Sequence, residues 1–331
     1  MKKEHITLCS HYHRSKKKYD LIFPEALKYI TENPNIMLKD FYNWVFKNYP
    51  DIEGNDTIVR LLYDVRRVYN HERNHDPSSI MSLEDGHLSE LNWKVIKHKK
   101  LLVLSDIHFP YHDKTALMLA LREGRKQNVD AILLNGDILD FYQLSKFTKD
   151  GRKPSIAHEF EIFRFFIDQL KQRFPDTIIY YKTGNHELRL DHWMKNHAQV
   201  FNGLIDIDMF VDFKSHGVVY LKDNIGVKFG KLNIIHGHEV KAGGQYLAKA
   251  YHAKTGTNIL FGHWHQNQEY VFKNLDGYKS GAWAIGCLCK LDAEYTFGHN
   301  TWSHGFAIVE MTDDYGNFRV YHYKEEDFKY L

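Results

Sequence analysis

Leu101-Leu102-Val103-Leu104-Ser105-Asp106-Ile107-His108 is an apolar run that ends in a carboxylate and an imidazole, and the same grammar recurs four times downstream. Ala131-Ile132-Leu133-Leu134-Asn135 leads into Gly136-Asp137, and Ile178-Ile179-Tyr180-Tyr181 leads towards Gly184-Asn185-His186-Glu187. Leu232-Asn233-Ile234-Ile235 leads into His236-Gly237-His238, and Asn258-Ile259-Leu260-Phe261 into Gly262-His263-Trp264-His265. Short apolar runs bounded by polar loops read as strands buried on both faces. Helical patterns from Thr115 and near 156–173 separate the first three runs, which predicts a βαβ arrangement. Beyond residue 217 strand follows strand, with turn signals at Asp276-Gly277 and Tyr315-Gly316 and a helix near 243–254. In an open α/β sheet ligands bind beyond the carboxyl ends of the strands, so the five loops are expected to converge on one crevice.

The residue types in those loops suit a pair of divalent transition metals, because imidazole together with carboxylate favours Mn, Fe or Zn over the all-oxygen sites of Mg and Ca. Asp137 is the natural bridge, since one carboxylate offers two oxygens to two ions. Glycines 136, 184, 237 and 262 allow backbone to approach such ions without a Cβ in the way. Singly these elements are weak; five in order, each after an apolar run, are not.

Working outward, a chain of 331 residues accommodates one large domain with an appendage or two ordinary ones. With 43% hydrophobic and 26% charged residues it is a folded globular chain rather than a disordered or collagen-like one. Lys+Arg 44 against Asp+Glu 42 gives a net charge of +2, so any nucleic-acid contact has to be a local patch. Cys9, Cys287 and Cys289 form no disulfide framework and fit a reducing compartment. The start lacks the apolar core of an export signal, and no apolar run reaches the ~20 residues that span a bilayer. The expectation is a cytoplasmic protein with no membrane partner.

Ahead of the apolar runs, residues 25–32, 38–49 and 56–72 each read as a helix, giving a three-helix unit over 1–75, possible kin of a helix-turn-helix. Its third helix sets Ile58, Leu61, Leu62, Val65 and Val68 on one stripe and Arg60, Tyr63 and Arg67 on the other, a pattern that suits a nucleic-acid backbone. Against that, residues 1–98 carry 15 Lys+Arg and 14 Asp+Glu, so a docking or cap unit competes. Residues 76–98 have linker composition, leaving 99–331 as the catalytic domain.

Asp106-x-His108, Gly136-Asp137, Gly184-Asn185-His186-Glu187, His236 and Gly262-His263-x-His265 resemble, in order and spacing, the signature of the calcineurin-like metallophosphoesterases. The resemblance covers residues 99–331 and implies an α/β (α+β) four-layer sandwich of two mixed sheets flanked by helices. It implies that Asp106, His108, Asp137 and His265 hold one metal, that Asp137, Asn185, His236 and His263 hold the other, and that His186 stands beside the leaving group without ligating. Manganese is expected first, with Fe, Zn or Ni as alternatives. Ser105 to Asp113, Gly136 to Tyr142, Gly286-Cys287-Leu288-Cys289, and Trp302 followed by Gly305-Phe306 look most like members encoded by phages and prophages, which points to the host cytoplasm. Some of that group are described as DNA-repair exonucleases.

One departure bears on substrate. Phosphoprotein phosphatases of this superfamily place Arg-Gly after the second Asp of their Gly-Asp motif and Arg before Gly-Asn-His. Here Phe141 and Tyr142 follow Asp140, and Thr183 precedes Gly184. Arg189 is the candidate replacement. The expected chemistry is hydrolysis by a metal-activated hydroxide, with His186 as general acid and Asp140 orienting it. The expected substrate is a phosphodiester of DNA, RNA or a nucleotide derivative; a phosphomonoesterase, or a DNA-docking regulator with an incidental metal centre, are the alternatives.

Other candidates read as bland. His5, Cys9, His11 and His13 lack a second Cys/His pair at zinc-finger spacing. Cys287 and Cys289 alternate and read as buried packing rather than a redox or metal site. His238 is a candidate neighbour of the ligands, and Tyr142, Trp264, Tyr246 and Trp283 are candidate base-stacking rings.

Overall fold

A computed structural model describes the chain apart from residues 1–15, 51, 53–54, 75–90, 147–152, 202, 223–224 and 293–299. The Cys9 cluster and most of the 76–98 stretch lie outside the described residues. The chain divides into two compact units, Met1–Ser89 and Glu90–Leu331.

The first unit is built from α1 (Lys16–Glu32), α2 (Leu38–Asn48) and α3 (Asn55–Asn74). Ile22, Ala26 and Ile30 of α1, Phe41 and Val45 of α2, and Ile58, Leu61, Val65 and Val68 of α3 close on one apolar core. Those residues recur every three or four positions, which places them on one helical face. The first helix begins well before residue 25. Pro24 lies inside it, and a proline that reads as a helix breaker concealed the turns ahead of it. Arg60, Tyr63 and Arg67 are exposed on α3, opposite its buried stripe.

The second unit has two mixed six-stranded sheets. One runs, in spatial order, β12 (Phe318–Lys324), β11 (Gly305–Met311), β2 (Lys100–Leu104), β3 (Ala131–Asn135), β4 (Ile178–Lys182) and β5 (Val218–Leu221). The other runs β1 (Trp93–Ile96), β6 (Gly226–Phe229), β7 (Leu232–Ile234), β8 (Ile259–Phe261), β10 (Lys279–Ala284) and β9 (Gln268–Lys273). Leu101 and Val103 of β2 and Ala131 and Leu133 of β3 meet Val227, Ile234 and Leu260 of the facing sheet. Their neighbours Leu102, Leu104, Ile132 and Leu134 turn the other way, onto α4 (Lys114–Lys126) and α5 (Ile156–Arg173). Alternate residues thus enter different cores, which is why these strands are apolar at every position. On the far face of the second sheet, Leu247, Ala248 and Tyr251 of α6 (Leu247–Thr255) pack on Ile259, Phe261, Ala282 and Ala284. The layers run helix, sheet, sheet, helix.

Residues 93–96 fall within the stretch read as linker, yet they form β1, paired in parallel with β6. Only Ile96 of this edge strand is buried, so it has no apolar run to announce it. The helices begin where capping chemistry allows. Asp113 accepts the N–H groups of Thr115 and Ala116 at the start of α4, and Ser155 Oγ accepts His158 N–H at the start of α5. Among the described residues no helix is long and apolar enough to cross a membrane.

Candidate metal centre

Strands β2, β3 and β4 are mutually parallel, as are β7 and β8, so their carboxyl ends present their loops on one side of each sheet. The loops bring together the residues singled out in the sequence. Asp137 Oδ2 lies 3.3 Å from His236 Nε2, 3.7 Å from His186 Nε2 and 3.9 Å from His108 Nε2. Asp106 Oδ1 lies 3.2 Å from His265 Nε2 and 3.9 Å from both His108 Nε2 and His236 Nε2. Asn185 Oδ1 is 3.2 Å from His236 Nε2. Asp137, His236 and His263 each offer an atom within 4.8 Å of the others, the spacing of ligands about one ion. Arg60 and Arg67 belong to the first unit.

The backbone is forced to deliver these groups. Asp106, His108, Asp137, His263 and His265 all have positive φ, between 51° and 69°, in the left-handed region that side chains with a Cβ avoid. Each such residue costs about 1–3 kcal/mol, which the surrounding structure must offset. Much of that hold comes from Glu187. Its carboxylate accepts the N–H groups of Asp137, Gly184, Ile138 and Leu139 and the hydroxyl of Tyr181 at 2.7–3.0 Å, tying the third loop to the second. On the other sheet Glu239 accepts the N–H groups of His236 and Gly237 while paired at 2.7 Å with the buried Lys182 of β4. Neither role was legible beforehand, although a lysine ending an otherwise apolar strand is the sort of signal that demands a buried partner.

Glycine is required here for room. A Cβ on Gly184 would meet the carboxylate and backbone N of Asp137, and one on Gly136 would stand 2.7 Å from His236 Nδ1. Gly184→Ala should therefore fold with its second and third loops displaced, losing both metal uptake and at least about tenfold in turnover, as expected when ligand support fails. Metal analysis on the purified variant checks this.

The unused nitrogens of the imidazoles are mostly held by oxygen. His108 Nδ1 bonds Asp140 Oδ1 at 2.9 Å, and His236 Nδ1 donates to Asn135 O at 2.9 Å. His186 Nδ1 lies 2.8 Å from Asp140 O and 3.2 Å from Asp140 Oδ1. Arg189 Nη1 donates to Asp140 O at 3.0 Å, and its Nη2 approaches His186 Nε2 at 2.9 Å. A guanidinium only donates, so His186 Nε2 is the acceptor and the ring carries its proton on Nδ1. Beneath this loop Glu159 is buried, accepts Phe141 N–H, and has its carboxyl pushed up to about 8 by burial.

Charge in the cluster is unbalanced. Burial opposes ionisation, yet His236 and His265 hold Asp106 well below the usual carboxylate range, and His236 and His186 do the same to Asp137. In return, and again against burial, Asp137 and Asp106 push His236 up to about 9. Asp106 Oδ1 and His263 Nδ1 are buried with no hydrogen-bond partner among the described residues. A buried oxygen of a carboxylate left this way is costly, and a cation relieves it. These residues therefore fit the divalent ions that the donor set suggests.

The remaining candidates separate. His238 stands 5.5 Å from His236, ring to ring, with burial pushing it down to about 4. Trp264 Nε1 donates to Tyr251 OH, and Trp283 Nε1 donates to Glu269 on the neighbouring β9. Those bonds hold both indoles within the second sheet's own packing. Trp302 instead meets His265 edge-on, at 4.2 Å between ring centres.

The profile described as calcineurin-like phosphoesterase matches residues 99–271, which carry all five loops. The Gene 54 proteins of Mycobacterium phage L5 and Mycobacterium phage D29 are each 25% identical over 64% of this chain and 89% of their own length. Among solved structures, the E. coli phosphoesterase YfcE covers 68% of this chain and 99% of its own at 12% identity, with a TM-score of 0.33. Since the profile spans more than half of the sequence and takes in every residue of the cluster, the chain belongs to the calcineurin-like phosphoesterases, a family of dinuclear-metal-dependent hydrolases.

Proposed function

We propose that the protein hydrolyses phosphodiester bonds of nucleic acid or of a nucleotide-derived diester. Asp106, His108, Asp137 and His265 hold one divalent ion and Asp137, Asn185, His236 and His263 the other, with manganese the first candidate and Fe, Zn or Ni the alternatives. Support for Asp137 as the bridge comes from its Oδ2, which lies within 3.9 Å of an imidazole of each set. When bound, two such ions would supply positive charge to the phosphoryl oxygens and lower the pKa of a water.

The observation that carries the diester reading is the shortage of cations beside the cluster. A phosphomonoester bears about −1.5 to −2 charges at neutral pH, whereas a diester bears one. Phe141 and Thr183, where related phosphatases carry arginine, are buried and uncharged, and Lys182 is spent on Glu239. Among the described residues Arg189 is the one guanidinium bonded into the centre. His186 donates to the departing alkoxide from Nε2 only as the imidazolium, so Arg189 has to leave that nitrogen and a proton from solvent has to take its place first. Arg189 then turns to the substrate phosphate, while Asp140 keeps the ring oriented through Nδ1.

The phage relatives fit an enzyme that works in a host cytoplasm, where DNA and RNA are the abundant diesters. The exposed Arg60 and Arg67 of α3 are the candidate backbone contacts. Charge reversal at both should raise the apparent KM for polynucleotide and flatten its salt dependence, by about 0.9 in log–log slope per lost duplex phosphate contact. Turnover of a small chromogenic diester should not change. Polynucleotide cleavage that is untouched by both substitutions would leave the helical unit with an assembly role and the polymeric substrate unsupported.

A further inference from the structure

We propose that Glu159 is a positioning residue for the general acid, holding the peptide between Asp140 and Phe141 in the orientation that lets its carbonyl accept the Nδ1–H of His186. This inference rests on the reading above, in which His186 protonates the leaving group.

That single peptide unit is gripped on both sides. Its carbonyl, Asp140 O, accepts His186 Nδ1–H at 2.8 Å and Arg189 Nη1–H at 3.0 Å. Its N–H, that of Phe141, donates to Glu159 Oε2 at 2.7 Å. A planar trans peptide points its carbonyl and its N–H in opposite directions, so an acceptor that fixes one fixes the other. The hold is needed, because Phe141 has φ 49° and ψ 43°, in the left-handed region that a residue with a Cβ avoids. Without an acceptor for the N–H the peptide is free to rotate, and its carbonyl swings away from the imidazole. His186 Nδ1 then keeps only Asp140 Oδ1 at 3.2 Å, an oxygen already bonded to His108 Nδ1 at 2.9 Å.

Glu159 stands in the first turn of α5 and is fully buried. The next residue, Phe160, packs its ring against that of Phe141 at 5.6 Å between centres, so one helical turn holds both the backbone and the side chain of Phe141. Packing alone does not call for a carboxyl group here. Its Oε1 is buried with no hydrogen-bond partner among the described residues, which is costly, and an apolar side chain would avoid that cost. Burial, reinforced by the Asp140 carboxylate, pushes the group up to about 8, so at neutral pH it is mostly the neutral acid. The carbonyl oxygen of a neutral acid still accepts an N–H. The contribution of Glu159 is therefore an acceptor in a fixed place and not a charge.

The two preceding amides have other acceptors. Leu139 N–H donates to Glu187 Oε1 at 3.0 Å, and Asp140 N–H donates to Phe109 O at 3.1 Å. Asp140 and the His108 ring it holds thus keep their support when Glu159 is replaced. Proton delivery should suffer while metal binding does not.

Glu159→Leu fills similar space without an acceptor. The full-length variant loaded with Mn(II) should retain its metal and turn over a diester with an alkyl leaving group about 10–100-fold more slowly, part of the 10²–10⁴-fold that a general acid is worth. The deficit should shrink with aryl leaving groups, and Glu159→Gln, which keeps an oxygen acceptor, should recover most of the loss. Added to His186→Ala, Glu159→Leu should cost less than about twofold more, because residues that act through one group are not additive. If the leucine variant folds poorly, Glu159→Ala takes its place beside Glu159→Gln. Metal loss, a deficit equal across leaving groups, full additivity with His186→Ala, or a glutamine variant as slow as the leucine one overturns the role of Glu159 and leaves the general acid standing. A His186→Ala deficit that does not depend on the leaving group overturns both.

Discussion

Asp137→Asn should lose metal and activity together, and lose more than any substitution confined to one of the two ligand sets. The carboxylate sits between the sets, with Oδ2 facing imidazoles of both and Oδ1 accepting the backbone N–H of His186 at 2.8 Å. Asparagine is nearly the same size but presents one oxygen and one donor. Whichever way its amide turns, an N–H₂ group faces either the imidazoles or the His186 N–H. It also removes the negative charge that balances the ions. Disturbing groups that merely support a ligand typically costs 10–100-fold in metal affinity, so the loss here should exceed about 100-fold. Asn185→Ala, which removes an oxygen from one set, should cost less. Elemental analysis with steady-state turnover on both variants checks the order; two equivalents retained by Asp137→Asn would remove the bridge.

His186→Ala should behave in the opposite way, keeping its metal while slowing turnover by about 10²–10⁴-fold, the usual worth of general acid catalysis. The ring is in place for this. Asp140 fixes its Nδ1 side, and its Nε2 stands 3.7 Å from Asp137 Oδ2, at the edge of the cluster. The deficit should shrink as the leaving group becomes a weaker base, because such an alkoxide departs without a proton. A series of aryl and alkyl diesters measures that slope. An equal deficit across the series would make His186 a positioning residue.

What could be read in advance follows from how each feature is built. Strands β2, β3 and β4 were legible because both of their faces are buried, and the cluster was legible because its side chains directly follow those strands. Strand β1 was not, since an edge strand with Ile96 alone buried looks like polar linker. The start of α1 hid behind Pro24. The supporting roles of Glu187 and Glu239 were hidden for a different reason. Most of their partners are backbone N–H groups of irregular loops, which leave no period in the sequence. Cys289 was read as packing from its alternation with Cys287. Its neighbour His265 comes from a loop 24 residues earlier in the chain, and no local pattern reports that contact.

Whether this chain uses two divalent ions to cleave phosphodiesters, as proposed, is decided by turnover of a chromogenic diester and the matching monoester by the full-length protein, stripped of metal and then titrated with Mn(II). The expected result is no turnover without metal, activity that saturates at two equivalents, and a diester rate above the monoester rate. A monoester rate well above the diester rate, or diester turnover undiminished after the metal is removed, would contradict it.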